Sequence, residues 1–220
     1  MAPFGTIYSY PNNPRVMKTL AVANLNGLEV SNPEFKMGET NRTPEFLAKF
    51  PFGKVPAFEA ADGTTLVESD AIMQFVAESG PASAQLLGTT PAERALISQW
   101  VFFADGEILA HVITLVLPRL KLRPYDEATE NSTLEKVERS LAYLEKHLAG
   151  RAWVAGGEKL TVADLSLAAA LSWGFAMVLD AEVQAKYPAV VEWYKRTVES
   201  EGVKQAFGEA KFVEKREIPQ

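Results

Sequence analysis

The chain has 220 residues, 47% of them hydrophobic and 23% charged, which is ample for one or two buried cores. Its formal net charge of -6 argues against nucleic acid as the main partner, because phosphate binding needs a basic surface. With no cysteine, a disulfide, a zinc–thiolate site, a cysteine nucleophile and a redox CxxC motif are all excluded. Residues 1–10 lack a basic stretch followed by an apolar run, so no secretory signal is expected. The longest apolar stretch, residues 165–179, is shorter than the roughly 20 residues that span a bilayer and is interrupted by Ser166, Ser172 and Gly174. A buried helix in a cytoplasmic protein that does not engage a membrane is the expectation.

The first third alternates strand and helix signals. Residues 6–10 are β-prone. A helix is predicted over residues 14–26, with Pro14 in its first turn and Gly27 beyond its end. Residues 28–31 read as a second strand, and Thr43-Pro44-Glu45 opens a short helix. Strands over 54–60 and 64–68 flank the turn Ala61-Asp62-Gly63. Ser69 is placed to cap a helix over 70–78. The order β-α-β-α-β-β-α suits a mixed four-stranded sheet covered by helices, assigned to a first domain of residues 1–80. Residues 79–91 have linker composition.

Residues 91–220 read as a second, all-α helical domain. Thr90-Pro91-Ala92-Glu93 is a capping box for a helix running through Trp100 and Asp105 and ending before Pro118. Leu134, Val137, Leu141, Leu144 and Leu148 repeat at three- and four-residue spacing in a helix over 127–148. Thr161-Val162-Ala163-Asp164 is a second capping box, and the helix it opens is apolar on all sides, so it belongs at the centre of the domain. A helix over 188–200, a last turn at 203–207 and a charged surface tail over 209–220 complete the chain. Trp100, Trp173 and Trp193 are expected in the core.

Three local features carry chemistry. Lys54-Val55-Pro56-Ala57-Phe58 heads a strand with a proline, and a cis bond at Val55-Pro56 would turn the backbone N–H and C=O of Val55 outward, towards an extended peptide-like ligand. Glu68 and Ser69 stand at a helix start, where unpaired amides and the helix dipole favour a carboxylate. Leu160-Thr161-Val162-Ala163-Asp164 caps the buried helix. On the spacing of these features the chain resembles the glutathione transferase superfamily over essentially its whole length. It is most similar to the transferase-like domain of translation elongation factor gamma subunits, through residues 40–47, Phe50-Pro51, residues 54–59, Gln99-Trp100, Phe103-Ala104-Asp105 and residues 128–131.

The resemblance implies an α/β thioredoxin-like N-terminal domain that binds glutathione as co-substrate, without a metal. Val55, with Pro56 behind it, would hold the cysteinyl backbone. Ser69 would receive the γ-glutamyl carboxylate and Glu68 the amino group, with Lys54 towards the glycyl end. In related dimers an acidic residue near Asp105 reaches the amine across the subunit interface. A free thiol has a pKa of about 8.5, so a donor after the first strand must favour the thiolate. Ser9 and Asn12 are preferred for that role over Tyr8, because Tyr8 and Tyr10 share one strand face and Ser9 takes the other. Arg15 would add positive charge. His111 stands one turn past Glu107, where it could line the co-substrate cleft. Each residue also has a structural alternative: Val55-Pro56 as a fold element, Ser69 as a cap only, Tyr8 as a core residue, His111 as a packed or surface side chain.

Two functions follow. One is a glutathione-dependent transferase that conjugates or isomerises a small hydrophobic electrophile, acting as a homodimer with Phe52 as an aromatic key. The other is a non-catalytic interaction domain whose partners are translation factor subunits. Such a subunit continues past a Lys/Pro-rich linker, whereas this sequence stops at Ile218-Pro219-Gln220. As a natural length, that favours the stand-alone enzyme.

Overall fold

The computed structural model describes residues 3–219, so Met1, Ala2 and Gln220, at the ends of the segments discussed above, lie outside the described residues. The strands are β1 (Gly5–Tyr8), β2 (Val30–Ser31), β3 (Ala57–Ala60) and β4 (Thr65–Val67). They form one sheet in the order β2-β1-β3-β4, with β2 parallel to β1 and the other pairs antiparallel. β1 stops at Tyr8, before the expected Tyr10. Successive strand residues alternate faces. Ile7 and Phe58 therefore face α1 (Pro14–Leu25) and α3 (Ser69–Glu78), packing with Val16, Ile72 and Val76. Tyr8 and Ala57 face the other way, against Phe35 and the helix α2 (Pro44–Lys49) with its Phe46 and flanking Phe50.

Local capping explains where these helices start. Asn13 caps α1 by accepting from the Arg15 amide at 3.0 Å, and Thr43 caps α2 by accepting from Phe46. Asn26 closes α1 and ties it to its neighbours. Its side-chain amide donates to the carbonyls of Val76 and Ala77, and its oxygen accepts from the Ala82 amide. Gly80 must stay small because a Cβ there would lie 2.5 Å from the Asn26 side chain. Ser69 does not cap α3 as expected. It is the first residue of the helix, Glu68 takes the cap position, and no side chain closes that end.

After a short helix α4 (Ser83–Leu87), which the linker composition conceals, α5 (Pro91–Phe103) begins at the expected capping box. It continues through a π-turn (Ala104–Leu109) into α6 (Ala110–Arg119), which runs past Pro118 rather than ending before it. Pro118 forgoes one bond, to the Thr114 carbonyl of the turn before it, and the helix ends one residue later at Arg119. Residues Pro91–Arg119 are long and apolar enough to cross a bilayer by composition. Packing against α7 (Glu127–Leu148) and α8 (Val162–Met177) accounts for that apolar character. α9 (Ala181–Lys186), α10 (Pro188–Glu199) and α11 (Lys204–Phe207) complete the helical half.

α8 is buried on nearly every side and lies against α1, which is how the two halves join. The tail departs from the expected surface segment. Phe212 packs on Phe175 and Tyr194, the Val213 amide donates to the Phe175 carbonyl at 2.8 Å, and the Glu214 carbonyl accepts from Ala181. Trp100 and Trp193 are buried as expected. Trp173 is only partly buried and bridges the halves, its indole donating to the Asn12 carbonyl at 3.1 Å.

The polar start of α8 is concentrated in Asp164, which is fully buried and accepts from the Val154 and Thr161 amides and the Trp193 indole, each at 2.9 Å. Asp164→Ala would strand three buried donors, each costing about 1–3 kcal/mol unpaired, so a loss on the order of 3–5 kcal/mol is expected. Thr161→Ala removes one cap and should cost about 1 kcal/mol. Urea denaturation checks the ranking, and equal losses in the two variants would refute the hub role of Asp164.

Candidate functional site

The antiparallel pairing of β3 and β4 sets Ala57 opposite Val67. The segments just outside that pair, Lys54-Val55-Pro56 entering β3 and Glu68-Ser69 leaving β4, are thereby brought side by side. The Val55-Pro56 bond is cis. Together with Phe52, Val67 and Arg15 from the first turn of α1, these residues enclose a cleft of about 290 Å³. Six residues expected at the site, Arg15, Lys54, Val55, Pro56, Glu68 and Ser69, are thus in one place.

The cleft has the polarity of a small zwitterionic peptide's mirror image. At its floor is the uncapped start of α3, whose free amides and positive dipole end attract a carboxylate. The Ser69 side chain sits beside them, and the Glu68 carboxylate is available to an ammonium group. Arg15 and Lys54 supply positive charge, with the Lys54 ammonium 4.4 Å from the centre of the Phe52 ring. Glu68 has φ 68°, in the left-handed region, where a non-glycine residue pays on the order of 1 kcal/mol. That strain is stored in a residue of the cleft itself.

The remaining expected residues are placed differently. Tyr8 is beneath α2, packed on Phe46 and Phe50, and its hydroxyl donates to Glu59 at 3.1 Å. It has no part in the cleft. Ser9 is on the opposite face, as alternation requires, but only 2% exposed, and its oxygen accepts from the Asn13 amide group at 2.9 Å. It anchors the turn from behind. Asn12 is exposed at φ 58°, the apex of that turn, with its carbonyl held by Trp173. Asp105, in the π-turn, lies 3.8 Å from Arg15 of its own chain, with its side chain 46% exposed. Both groups are partly exposed, so the pair orients Arg15 more than it stabilises the fold. His111 pairs through Nδ1 with the Glu107 carbonyl at 2.9 Å and is not part of the cleft wall.

Sequence reasoning missed Asn13 and Val67. Asn13 joins Ser9 to the start of α1, and an asparagine directly before a first-turn proline is a recognisable cap signal. Val67 is one half of a β-prone pair and carries no signal of its own. Tyr10 is half-buried, and burial pushes its phenol above the ordinary value against the pull of nearby Arg15.

The chain matches two families in succession: the glutathione S-transferase N-terminal domain over residues 3–78 and the glutathione S-transferase C-terminal domain over residues 103–201. It is 50% identical to the glutathione S-transferase-like protein LUC7 of Fusarium sp, over 99% of both chains. Identity to elongation factor 1-gamma of Equus caballus is lower, 39% over 96% of this chain and 48% of that one. The fold superposes on the GST-like domain of elongation factor 1-gamma from Saccharomyces cerevisiae with a TM-score of 0.84, covering 100% of both chains at 24% identity.

The Tyr8–Glu59 bond has a measurable signature. Burial and the hydrogen bond to Glu59 raise the Tyr8 pKa above its ordinary value. The stability this adds is complete below the unfolded phenol's pKa of about 10 and is lost as pH rises through the folded value. The stability difference between wild type and Tyr8→Phe should therefore shrink on going from neutral pH to above about pH 10. A difference that stays flat in chemical denaturation across that range would show that the phenol is unperturbed.

Proposed function

Because the chain belongs to the glutathione S-transferase family, we propose that it binds glutathione in the Val55–Ser69 cleft and uses the thiolate on a small apolar electrophile. The observation that carries this reading is the convergence of Val55, Glu68 and Ser69 in one cleft at the uncapped start of α3. The γ-glutamyl carboxylate binds the α3 amides and the Ser69 hydroxyl, and its ammonium meets Glu68. The cysteinyl backbone pairs with that of Val55, and Lys54 takes the glycyl carboxylate. This places the sulfur towards Arg15 and the turn at Asn12.

The chemistry needs the sulfur as thiolate. Arg15 and the first-turn amides of α1 favour the anion electrostatically, and the Asn12 side chain is free to donate one hydrogen bond. Tyr8 is spent on Glu59 and Ser9 on Asn13. The thiolate then attacks an electrophilic carbon. In conjugation the new C–S bond persists: in a substitution the leaving group departs with the electron pair of the bond it breaks, and in an addition the π electrons move to the neighbouring carbon, which takes a proton from solvent. In isomerisation the adduct lets a former double bond rotate before the thiolate departs unchanged.

Calorimetry with reduced glutathione should give saturable binding, weakened roughly tenfold or more by Ser69→Ala, since a bond to a charged group contributes about 1.5–3 kcal/mol. Ultraviolet titration of the bound thiol completes the test. Asn12→Ala should raise the thiol pKa by about one unit or less, Arg15→Gln by more, and Tyr8→Phe not at all. Absence of binding at millimolar glutathione would end the enzyme reading and favour the translation-factor role, which needs no activated thiol.

The active form we propose is a homodimer. A groove of about 1040 Å³ separates α3 from α5, with Glu78 on one wall and Arg94 on the other, so a two-fold copy meets opposite charge. Phe102, 70% exposed, lines that groove and supplies one apolar anchor, and Phe52, 69% exposed on the edge of the Val55–Ser69 cleft, supplies another. Light scattering should give a dimeric mass for the wild type and a monomeric one for Phe52→Asp. A monomeric wild type at micromolar concentration refutes the dimer.

A further inference from the structure

On the proposed binding of glutathione in the Val55–Ser69 cleft rests a second assignment: we propose that Trp173, in the helical half, is a positioning residue for the thiolate, because it fixes the turn that carries Asn12 towards the sulfur.

That turn does not hold itself. Residues 10–13 place Pro11 at the second position and Asn12 at the third, where a β-turn of this kind needs a positive φ. Asn12 adopts φ 58°, which asparagine tolerates better than most residues but not freely. The bond that ordinarily closes such a turn, from the Asn13 amide to the Tyr10 carbonyl, is not formed. Behind the turn, Asn13 is tied to Ser9 at 2.9 Å. In front, the Asn12 carbonyl accepts from the Trp173 indole at 3.1 Å.

The direction of Asn12 matters because little else near it can donate. Pro14 has no amide hydrogen, the Arg15 amide donates to the Asn13 side chain, and the Val16 and Met17 amides donate to the Asn13 carbonyl. No amide of the first helical turn is left for a sulfur. Arg15 acts by charge, which tolerates a range of positions, whereas a hydrogen bond from Asn12 weakens steeply once it is out of line.

Trp173 stands where α8 first comes out of the core. Residues Val162 to Leu171 are buried, and Ser172 and Trp173 are the first to be partly exposed. A phenylalanine would cover much the same apolar surface, but only the indole also carries a donor. Arg15 is met from the helical half as well, by Asp105 of the π-turn. Both groups that favour the anion are therefore held from outside the domain that binds the peptide.

The test is Trp173→Phe, which keeps an aromatic ring at a half-exposed position and removes the N–H. S-methylglutathione has the peptide but no thiol to ionise, and calorimetry should find its affinity equal in variant and wild type within about twofold. Ultraviolet titration should show the pKa of the bound glutathione thiol raised as far as in Asn12→Ala, by about one unit or less. The Trp173→Phe, Asn12→Ala double variant should show no further rise, because both changes remove the same bond to sulfur. In the unliganded chain, amide exchange at Asn12, Asn13 and Arg15 should quicken about threefold or more, with β3 and α3 unaffected. An unchanged thiol pKa, an additive double variant, weakened S-methylglutathione binding or unchanged exchange at the turn each overturns the role of Trp173 and leaves the glutathione reading standing. A wild type that binds neither glutathione nor S-methylglutathione overturns that reading, and the role of Trp173 with it.

Discussion

Helix α8 has no polar side to offer water, and most of the molecule is arranged to cover it. Its residues from Val162 to Leu171 are buried without interruption. α1, α5, the π-turn, α6 and α10 each take part of its circumference. A helix buried all round cannot satisfy its first amides with solvent, so its start is closed from within by Thr161 and Asp164. Asp164 then reaches beyond its own helix to Val154 and Trp193, so the cap that ends α8 also fixes the loop before it and α10 beside it.

The same demand positions the cleft between Val55 and Ser69. α1 lies between the sheet and α8, which leaves it little freedom to shift. Lys18, nearly buried on α1, is neutralised by Asp70 of α3, one residue beyond Ser69. The start of α1, with Arg15, and the start of α3, with Glu68 and Ser69, are thereby locked to one another by a contact beneath the cleft. A site on two loop ends acquires the rigidity of the helices behind them. The strained Glu68 is tolerable there because the β3–β4 pairing and α3 both hold it.

Much of this was legible in the sequence, and what was legible had a local cause. Val55-Pro56, the Thr90 and Thr161 capping boxes and the turn at Asp62-Gly63 are decided by residues a few positions apart, and each falls where its chemistry puts it. The cleft residues Lys54, Val55, Glu68 and Ser69 were found because they flank those signals. The failures depend on distant contacts. That Tyr8 is spent on Glu59 follows from strand pairing. Asp105 meets Arg15 only because α1 docks against the helical half. The tail looks like a surface segment by composition, since nothing in residues 209–220 reveals that Phe175 and Tyr194 leave a place for Phe212. Ser69 was misread as a cap because the residue before it, Glu68, takes a conformation that sequence patterns assign to glycine.

The π-turn at Ala104–Leu109 amounts to a phase shift in a long screw. Up to Ala104 the buried positions fall at Ile97, Val101 and Ala104, and beyond it at Ile108, Val112 and Val116. One wide turn delays the apolar stripe by about a residue, an angle of roughly 100°. The two halves of the rod therefore present their inner faces to different neighbours while the backbone stays continuous. Length in this segment is therefore constrained as well as the identity of its buried Ala104, Ile108 and Leu109: shortening it by one residue would rotate the whole of α6, carrying Val112 and Val116 away from α8 and Arg119 away from Glu130.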